Sequence, residues 1–120
     1  MRVVALGAGG MGRYAAKTAA GFDFVDELII ADLDQSAASR LAESIGSKAR
    51  SMRVDVTDAS SLATAFEGAH AVLNSVGPFF RLGPPILRAA IAAKCHYLDI
   101  TDDWESTEAM MTLNSDARAA

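Results

Sequence analysis

The chain has 120 residues, of which 51% are hydrophobic and 22% charged, a composition typical of a globular protein that forms one domain. Its net charge of −4 argues against nucleic acid and anionic membranes as partners, and no apolar run approaches the roughly 18 residues of a membrane span. The single cysteine, Cys95, excludes an internal disulfide, and no signal-peptide pattern is present, so we expect a cytoplasmic location.

The first apolar run, Val3 to Leu6, predicts a strand that is hydrophobic on both faces, as a central strand of a parallel sheet is. An alanine-rich segment follows and predicts a helix over Met11 to Ala20, which ends at Gly21. A glycine-rich turn therefore joins a strand directly to a helix.

Within that turn, Gly7, Gly9 and Gly12 have the G-x-G-x-x-G spacing of a dinucleotide-binding site. The first glycine permits a sharp turn, the second lets the backbone approach a pyrophosphate, and the third lets the helix lie close to the sheet. The free N–H groups at the start of the helix would face the phosphates. Because turns collect glycine, the motif also requires an acid about twenty residues later.

Asp32 supplies that acid, because it stands at the carboxyl end of the second predicted strand, Glu27 to Ala31. We expect its carboxylate to accept hydrogen bonds from the hydroxyls of the adenosine ribose. The alternative is that Asp32 or Asp34 only caps the next helix. Since two acids are present, we assign Asp32 to the ribose and Asp34 or Ser36 to the cap.

The same carboxylate bears on the choice of cofactor, because it repels a 2′-phosphate, whereas NADP sites offer an arginine near the ribose. Leu33 follows Asp32 directly, and no basic residue occurs before Arg40. NAD is therefore the predicted cofactor, and NADP is the alternative.

A second helix is predicted from Ser36 to Ile45, and a third strand from Arg50 to Val54. In this architecture the end of the third strand lies beside the adenine, where Asp55 could make a polar contact and Val56 an apolar wall. A purely structural role for Asp55 remains open. Asp58 is expected to cap the third helix.

The next elements are a helix over Ser60 to Glu67 and a strand over Ala71 to Ser75. A loop from Val76 to Gly83 is predicted to follow. The Pro84–Pro85 pair would then open a helix over Ile86 to Lys94, because proline suits a first helical turn.

In a doubly wound sheet, ligands bind where the first and fourth strands diverge. We therefore expect the fourth strand's end and the loop behind it to lie beside the phosphates and the nicotinamide ribose. These residues are Asn74, Ser75, Val76 and Gly77. Phe79 and Phe80 predict a cover over the cofactor or an interface with another domain, although they could instead fill a gap over the sheet edge.

A fifth strand is predicted over His96 to Ile100. The spacing Asp102-x-x-Glu105 is that of a capping box and predicts a last helix to about Asn114 or beyond, with Met110 and Leu113 on its buried side.

Three acids, Asp99, Asp102 and Asp103, cluster at the end of that strand. Paired carboxylates suit acid/base chemistry, but capping and a solvated turn are the interpretation we favour. Cys95 and His96 are adjacent, so in an extended segment they point apart and make a poor nucleophile–base pair. No Cys or His spacing typical of a metal site occurs.

Five predicted strands alternate with four helices, and a fifth helix follows. This pattern predicts an α/β Rossmann fold, a three-layer doubly wound parallel sheet with strand order 3-2-1-4-5 and right-handed crossovers.

Almost the whole chain resembles the N-terminal cofactor domain of saccharopine dehydrogenases and their relatives. The discriminating part is an Asn-x-x-Gly-Pro-aromatic loop combined with a Tyr-x-Asp strand, since many dehydrogenases share the glycine motif. The matching stretches are Gly7–Gly12, Ala31–Asp34, Asn74–Phe80 and His96–Thr101.

This resemblance implies hydride transfer between a nicotinamide cofactor and the carbon of an imine formed from an amine and a 2-oxo acid. It implies that Asp32 holds the ribose, that residues 74–77 line the nicotinamide side, and that Phe79, Asp99 and Asp102 face the substrate. It identifies no catalytic residue. The residues that it assigns to the pyrophosphate are Gly7, Gly9, Gly10, Met11 and Gly12.

In that family a substrate domain follows the cofactor domain. We therefore expect residues 1–120 to be a Rossmann domain from a longer protein, which alone binds cofactor without turning substrate over; a homodimer is compatible with this. The alternative is a regulatory NAD-sensing module of a channel or transporter, against which the Gly77–Phe80 stretch and the Pro84–Pro85 pair argue. Another Rossmann dehydrogenase, of the homoserine or semialdehyde type, would differ only in substrate.

Overall fold

The computed structural model describes residues 1–120, in which five strands alternate with four helices and two further helices follow the last strand. The strands are β1 Arg2–Leu6, β2 Glu27–Asp32, β3 Ala49–Arg53, β4 Ala71–Asn74 and β5 His96–Asp99. The helices are α1 Gly10–Ala20, α2 Gln35–Ile45, α3 Ala59–Phe66, α4 Phe79–Ala92, α5 Trp104–Met111 and α6 Asn114–Ala119. None of these helices combines the length and the apolar character that crossing a membrane requires.

The sheet has the order β3-β2-β1-β4-β5, and every neighbouring pair is parallel, which confirms the predicted doubly wound fold. Leu6, the last residue of β1, lies in register with Ala31 on one side and Asn74 on the other. The carboxyl ends of the three central strands therefore lie level, and the loops that leave them meet at one edge of the sheet.

Alternation along β1 divides the core into two layers, because successive side chains of a strand point to opposite faces. Val3 and Ala5 pack with buried residues of α1 and α2. Val4 and Leu6 pack with buried residues of α3 and α4, including the fully buried Phe66. The central strand is buried on both faces, as its continuous apolar run predicts.

Aspartates cap three of the helices. The carboxylates of Asp34 and Asp58 accept backbone N–H bonds at the starts of α2 and α3, as predicted. The prediction for α5 was wrong by one residue: Asp103, and not Asp102, accepts the N–H of Glu105, at 3.0 Å. Because α5 begins at Trp104, the N-cap position directly before it is occupied by Asp103, and the side chain at that position is the one that reaches the free N–H groups.

The predicted loop before α4 is wrong, because the helix begins at Phe79 and contains both Pro84 and Pro85. Its first turn forms on the carbonyl of Pro78, which accepts the N–H of Leu82 at 3.0 Å. Each proline removes one i→i−4 bond, and the carbonyls affected belong to the exposed residues at positions 80 and 81, where water can replace the lost donor. The two phenylalanines therefore open a helix.

The predicted last helix is split into α5 and α6 near Leu113, which is buried as expected. Gly83 explains how α5 lies so close to α4: a Cβ at this position would stand 2.9 Å from Oγ of the buried Ser106. The Ser106 hydroxyl donates to the carbonyl of Phe79 at 3.0 Å, which ties α5 to the first turn of α4.

Replacing Phe66 by alanine should lower the free energy of unfolding by about 3–5 kcal/mol, because the side chain is fully buried between α3 and the sheet. Phe22→Ala is the matched control, since Phe22 is 47% exposed and only stacks on Phe24. Its cost should be about 1 kcal/mol or less. Urea unfolding of both variants measures the difference, and equal costs would contradict the layer assignment.

Candidate functional site

The candidate site lies where the chain leaves β1. The N–H of Gly7 bonds to the carbonyl of Ala31 on β2, at 2.8 Å. The N–H of Ser75 bonds to the carbonyl of Leu6 on β1, at 3.0 Å. The loops after β1 and β4 are thus held side by side at the switch point of the sheet, the usual ligand position in such folds.

Two of the motif glycines are required by packing. Gly7 has a φ of +98°, and a Cβ there would lie 2.6 Å from the hydroxyl of Ser75. A Cβ on Gly12 would lie 2.1 Å from the carbonyl oxygen of Gly7. The Ser75 hydroxyl fills the space that these glycines leave and donates to the carbonyl of Leu6 at 2.7 Å. The structure therefore brings the glycine turn and the loop after β4 into direct contact.

The third motif glycine, Gly9, and its neighbour Gly10 face open space, with no atom within 4 Å of a Cβ built on either. Helix α1 starts here without a side-chain cap, and its first N–H that pairs along the helix is that of Arg13, to the carbonyl of Gly9. The N–H groups of Gly10 and the exposed Met11 are therefore available to an anion, and the positive end of the helix dipole adds to the attraction. These residues fit a pyrophosphate.

Asp32 lies beside the same turn. One carboxylate oxygen accepts the N–H of Ala8 at 2.8 Å, and the other accepts the N–H of Asp34 at 2.8 Å. A carboxylate oxygen has two lone pairs, so Asp32 can still accept bonds from a sugar. The side chain that sequence reasoning assigned to the ribose also holds the glycine turn, a role that the spacing alone does not reveal.

Asp55 and Val56 lie in the turn between β3 and α3. The carboxylate of Asp55 accepts both the N–H and the hydroxyl of Thr57, at 2.9 and 2.6 Å, and the bond from the hydroxyl lowers the pKa of Asp55. Val56 packs against the core below α3. Asp55 therefore shapes its own turn, and its contact with adenine stays a prediction.

Behind the loop after β4 lies a chain of hydrogen bonds. Asn74 is only 2% exposed; its Nδ2 donates to the hydroxyl of Tyr97 at 3.0 Å, and its Oδ1 accepts the N–H of Val76 at 3.0 Å. The Tyr97 hydroxyl donates to Asp99 at 2.8 Å, and Asp99 also accepts the N–H of Thr101 at 3.2 Å. Burial raises the pKa of Tyr97.

Sequence reasoning did not assign Tyr97 to the site. The available signal was the spacing Tyr97-x-Asp99, which places both side chains on one face of β5, beside Asn74 on the neighbouring strand. Of the acids at this end of the sheet, Asp99 joins the network, Asp102 is exposed, and Asp103 caps α5. No hydrogen bond joins these carboxylates to one another as an acid/base pair.

A cleft of about 180 Å³ lies between α1 and the carboxyl ends of β4 and β5. It is lined by Gly12, Ser75 and Asp99, so it connects the glycine turn to the network. A larger groove of about 880 Å³ runs between α3 and α4, but it contains none of the glycine-turn residues. We therefore place the candidate site at the smaller cleft.

Nowhere do three or more His, Cys, Asp or Glu side chains converge as metal ligands would. The thiol of Cys95 bonds to the carbonyl of Ala90 at 3.4 Å, and its burial raises its pKa, which disfavours the thiolate that a nucleophile requires.

Comparison with known proteins gives a consistent result. A family model described as the saccharopine dehydrogenase NADP binding domain matches residues 3–120. Among solved structures, the chain is similar to saccharopine dehydrogenase (L-Glu forming) from Saccharomyces cerevisiae, with 25% identity and a TM-score of 0.75. That match covers 96% of this chain and 24% of the yeast enzyme, so the chain spans about a quarter of the relative's length.

Two further structures share the fold alone. A triphenylmethane reductase from Citrobacter sp. is 17% identical, with a TM-score of 0.71 over 99% of this chain and 45% of the reductase. A ribose-5-phosphate isomerase from Brucella melitensis is 18% identical, with a TM-score of 0.68 over 98% of this chain and 59% of the isomerase. Because one of these is an isomerase, the fold by itself does not decide the chemistry.

Alanine substitutions at Gly12 and Gly9 can separate the effect of packing on stability from the effect of ligand access on binding. Gly12→Ala should lower the free energy of unfolding by about 1–3 kcal/mol, because the methyl group collides with the Gly7 carbonyl and outweighs the better helix propensity of alanine. Gly9→Ala should leave stability nearly unchanged, since its φ of −78° suits alanine and the space is open, yet weaken NADH binding. Thermal unfolding measures the effect on stability, and fluorescence titration measures NADH binding. Unweakened NADH binding by Gly9→Ala would contradict the assignment of the pyrophosphate to the turn Gly7–Gly12, which we call the phosphate cradle.

Proposed function

Since the chain belongs to the family of saccharopine dehydrogenase NADP-binding domains, we propose that it is the cofactor domain of an oxidoreductase acting on a C–N bond. The bound nicotinamide cofactor would exchange a hydride with the carbon of an imine or secondary amine. The observation that carries the proposal is the uncapped start of α1 above the open Gly9–Gly10 backbone, in a chain that matches the family over residues 3–120.

The pyrophosphate is held, in this proposal, by backbone alone. The N–H groups of Gly10 and Met11 donate to the phosphate oxygens, and Gly9 leaves room for them. Gly7 and Gly12 act indirectly, because they let α1 start close to the end of β1. The exposed side chain of Met11 lies at the rim of the phosphate site and flanks the cofactor.

We propose that Asp32 accepts hydrogen bonds from the adenosine ribose with the lone pairs that Ala8 and Asp34 leave free. Its negative charge disfavours a 2′-phosphate, and exposed Leu33 offers that phosphate no cation. NAD is therefore the proposed preference, although the family description names NADP. On the adenine side, Val56 supplies an apolar wall, with Asp55 holding the turn that presents it.

The nicotinamide half is assigned to Asn74, the last residue of β4, and to Ser75, Val76 and Gly77 in the loop after it. Ser75 is in contact with the glycine turn, so this loop continues the surface on which the phosphates lie. Phe79, Asp99 and Asp102 are the proposed substrate-side residues, because they lie at the start of α4 and at the end of β5, beyond the same edge of the sheet.

We further propose that residues 1–120 form one domain of a longer enzyme, whose substrate domain covers exposed apolar side chains near β5. Leu98 and Ile100 are 54% and 50% exposed, and Trp104 is 70% exposed. Large apolar side chains that cluster at a surface mark an interaction site. The yeast relative, of which the match covers 24%, is consistent with a further domain.

The cofactor preference is tested by titrating NADH and NADPH into the wild type and into Asp32→Ala. The wild type should bind NADH at least tenfold more tightly, on the order of 1.4 kcal/mol, and Asp32→Ala should bring the two affinities together. The ratio is the informative quantity, because loss of the Ala8 contact weakens both cofactors alike. Tighter binding of NADPH by the wild type would show the ribose assignment to be wrong.

The proposed need for a separate substrate domain is tested by incubating residues 1–120 with saccharopine and either NAD or NADP. We expect binding without turnover, because the 180 Å³ cleft holds no acid/base pair and is too small to enclose both reactants. Absorbance of reduced nicotinamide is the readout, and full-length yeast saccharopine dehydrogenase is the positive control. Turnover that Gly9→Ala abolishes would contradict the proposed need for a second domain.

A further inference from the structure

The strongest unassigned feature is the hydrogen-bonded chain behind the loop after β4. We propose that Tyr97 and Asp99 are positioning residues, which act through Asn74 to fix the backbone of that loop in the form that receives the nicotinamide half of the cofactor. This inference rests on the proposed function for its ligand, but its structural step concerns the ligand-free chain.

The direction of every bond in the network follows from Asp99. An ionised carboxylate only accepts, so the Tyr97 hydroxyl must donate its one proton to it, at 2.8 Å. The same hydroxyl can then only accept from Asn74, which turns the amide nitrogen toward Tyr97. The amide oxygen is left facing the N–H of Val76, at 3.0 Å. Asp99 thus sets which end of the Asn74 amide faces the loop.

Burial makes one orientation of the Asn74 amide much more favourable than the other. Asn74 and Ser106 are the two buried polar side chains of the protein, and every buried side-chain nitrogen and oxygen has a partner. A reversed Asn74 amide would place its NH₂ against the N–H of Val76 and leave both donors without an acceptor. Such groups are costly to leave unpaired away from water, so one amide orientation is strongly preferred.

The loop that is held in this way touches the phosphate cradle. A Cβ on Gly7 would lie 3.4 Å from Cγ2 of Val76 and 2.6 Å from the hydroxyl of Ser75. The backbone therefore passes from the Asn74 anchor directly across the glycine turn before it enters α4. A shift of Val76 would move the surface beyond the phosphates while leaving the glycines and Asp32 in place.

The structural step can be tested without cofactor, by residue-resolved amide hydrogen exchange. Tyr97→Phe removes the acceptor that fixes Asn74, so the Val76 amide should exchange about tenfold faster, while amides in β1 keep their protection. Tyr14→Phe is the matched control, because Tyr14 is 68% exposed and its hydroxyl makes no hydrogen bond within the chain. Unchanged exchange at Val76 in Tyr97→Phe would overturn the inference, whatever the protein binds.

The ligand step compares NADH with ADP-ribose, which lacks the nicotinamide. Tyr97→Phe should lose about three- to tenfold in NADH affinity and keep its ADP-ribose affinity, because the groups assigned to the adenosine and the phosphates, Asp32 and the N–H groups of Gly10 and Met11, make no hydrogen bond to the network. A general structural defect would lower both affinities together and so contradict a positioning role. An unchanged ratio of NADH to ADP-ribose affinity would also overturn it.

Failure of the proposed function gives a different result, because the wild type would then bind neither NADH nor ADP-ribose. That outcome would overturn the assignment of the ligand for both proposals at once, while the exchange result at Val76 reports on the anchor alone. Asp99→Asn is the second variant should Tyr97→Phe not fold. It keeps the side-chain volume but lets the Tyr97 hydroxyl bond in either direction, so it should shift the same ratio in the same direction.

Discussion

The close contact at the carboxyl end of β1 is the constraint on which the rest of the site depends. A helix and two loops meet there within van der Waals distance, and a Cβ at residue 12 would stand 2.1 Å from a backbone oxygen. Only glycine at positions 7 and 12 lets α1 start directly above the strand end. The Ser75 hydroxyl then closes the contact by bonding the carbonyl of Leu6. Packing, and not the ligand, therefore explains two of the three motif glycines.

The polar groups of the protein show why an anion is the natural ligand of this edge. Every buried side-chain donor and acceptor is paired, and aspartates cap α2, α3 and α5. Helix α1 has no side-chain cap, and a Gly at its N-cap leaves the first N–H groups open to solvent. Water satisfies these groups in the free chain at little cost, whereas an anion also gains the helix dipole and several aligned donors.

Much of the fold was predictable from sequence because the strand signals are strong. Val3 to Leu6 and Leu28 to Ala31 are apolar on both faces, and glycines or aspartates mark the turns between elements. The start of α4 was not predictable in this way. Proline is disfavoured inside a helix because it lacks the N–H that would bond to the carbonyl four residues earlier, but in α4 those carbonyls belong to exposed residues 80 and 81, where water can replace the donor. The role of Tyr97 was hidden for a similar reason. A Tyr-x-Asp pattern shows two side chains on one face, but the partner, Asn74, comes from a neighbouring strand.

In the proposed site Asp32 would couple affinity to selectivity, because the carboxylate that holds the glycine turn is also the one we assign to the ribose. Its bond to the N–H of Ala8 stabilises the turn for any dinucleotide, whereas its charge discriminates only at the 2′ position. Removing the charge would therefore relax selectivity and loosen the phosphate cradle together. A variant that prefers NADP without losing affinity therefore needs a second substitution. It must either supply a new acceptor for the Ala8 N–H or place a cation at exposed position 33, where attraction to the 2′-phosphate compensates for the lost hydrogen bond. Position 33 is the more accessible of the two, because its side chain already faces solvent and no contact of the turn depends on it.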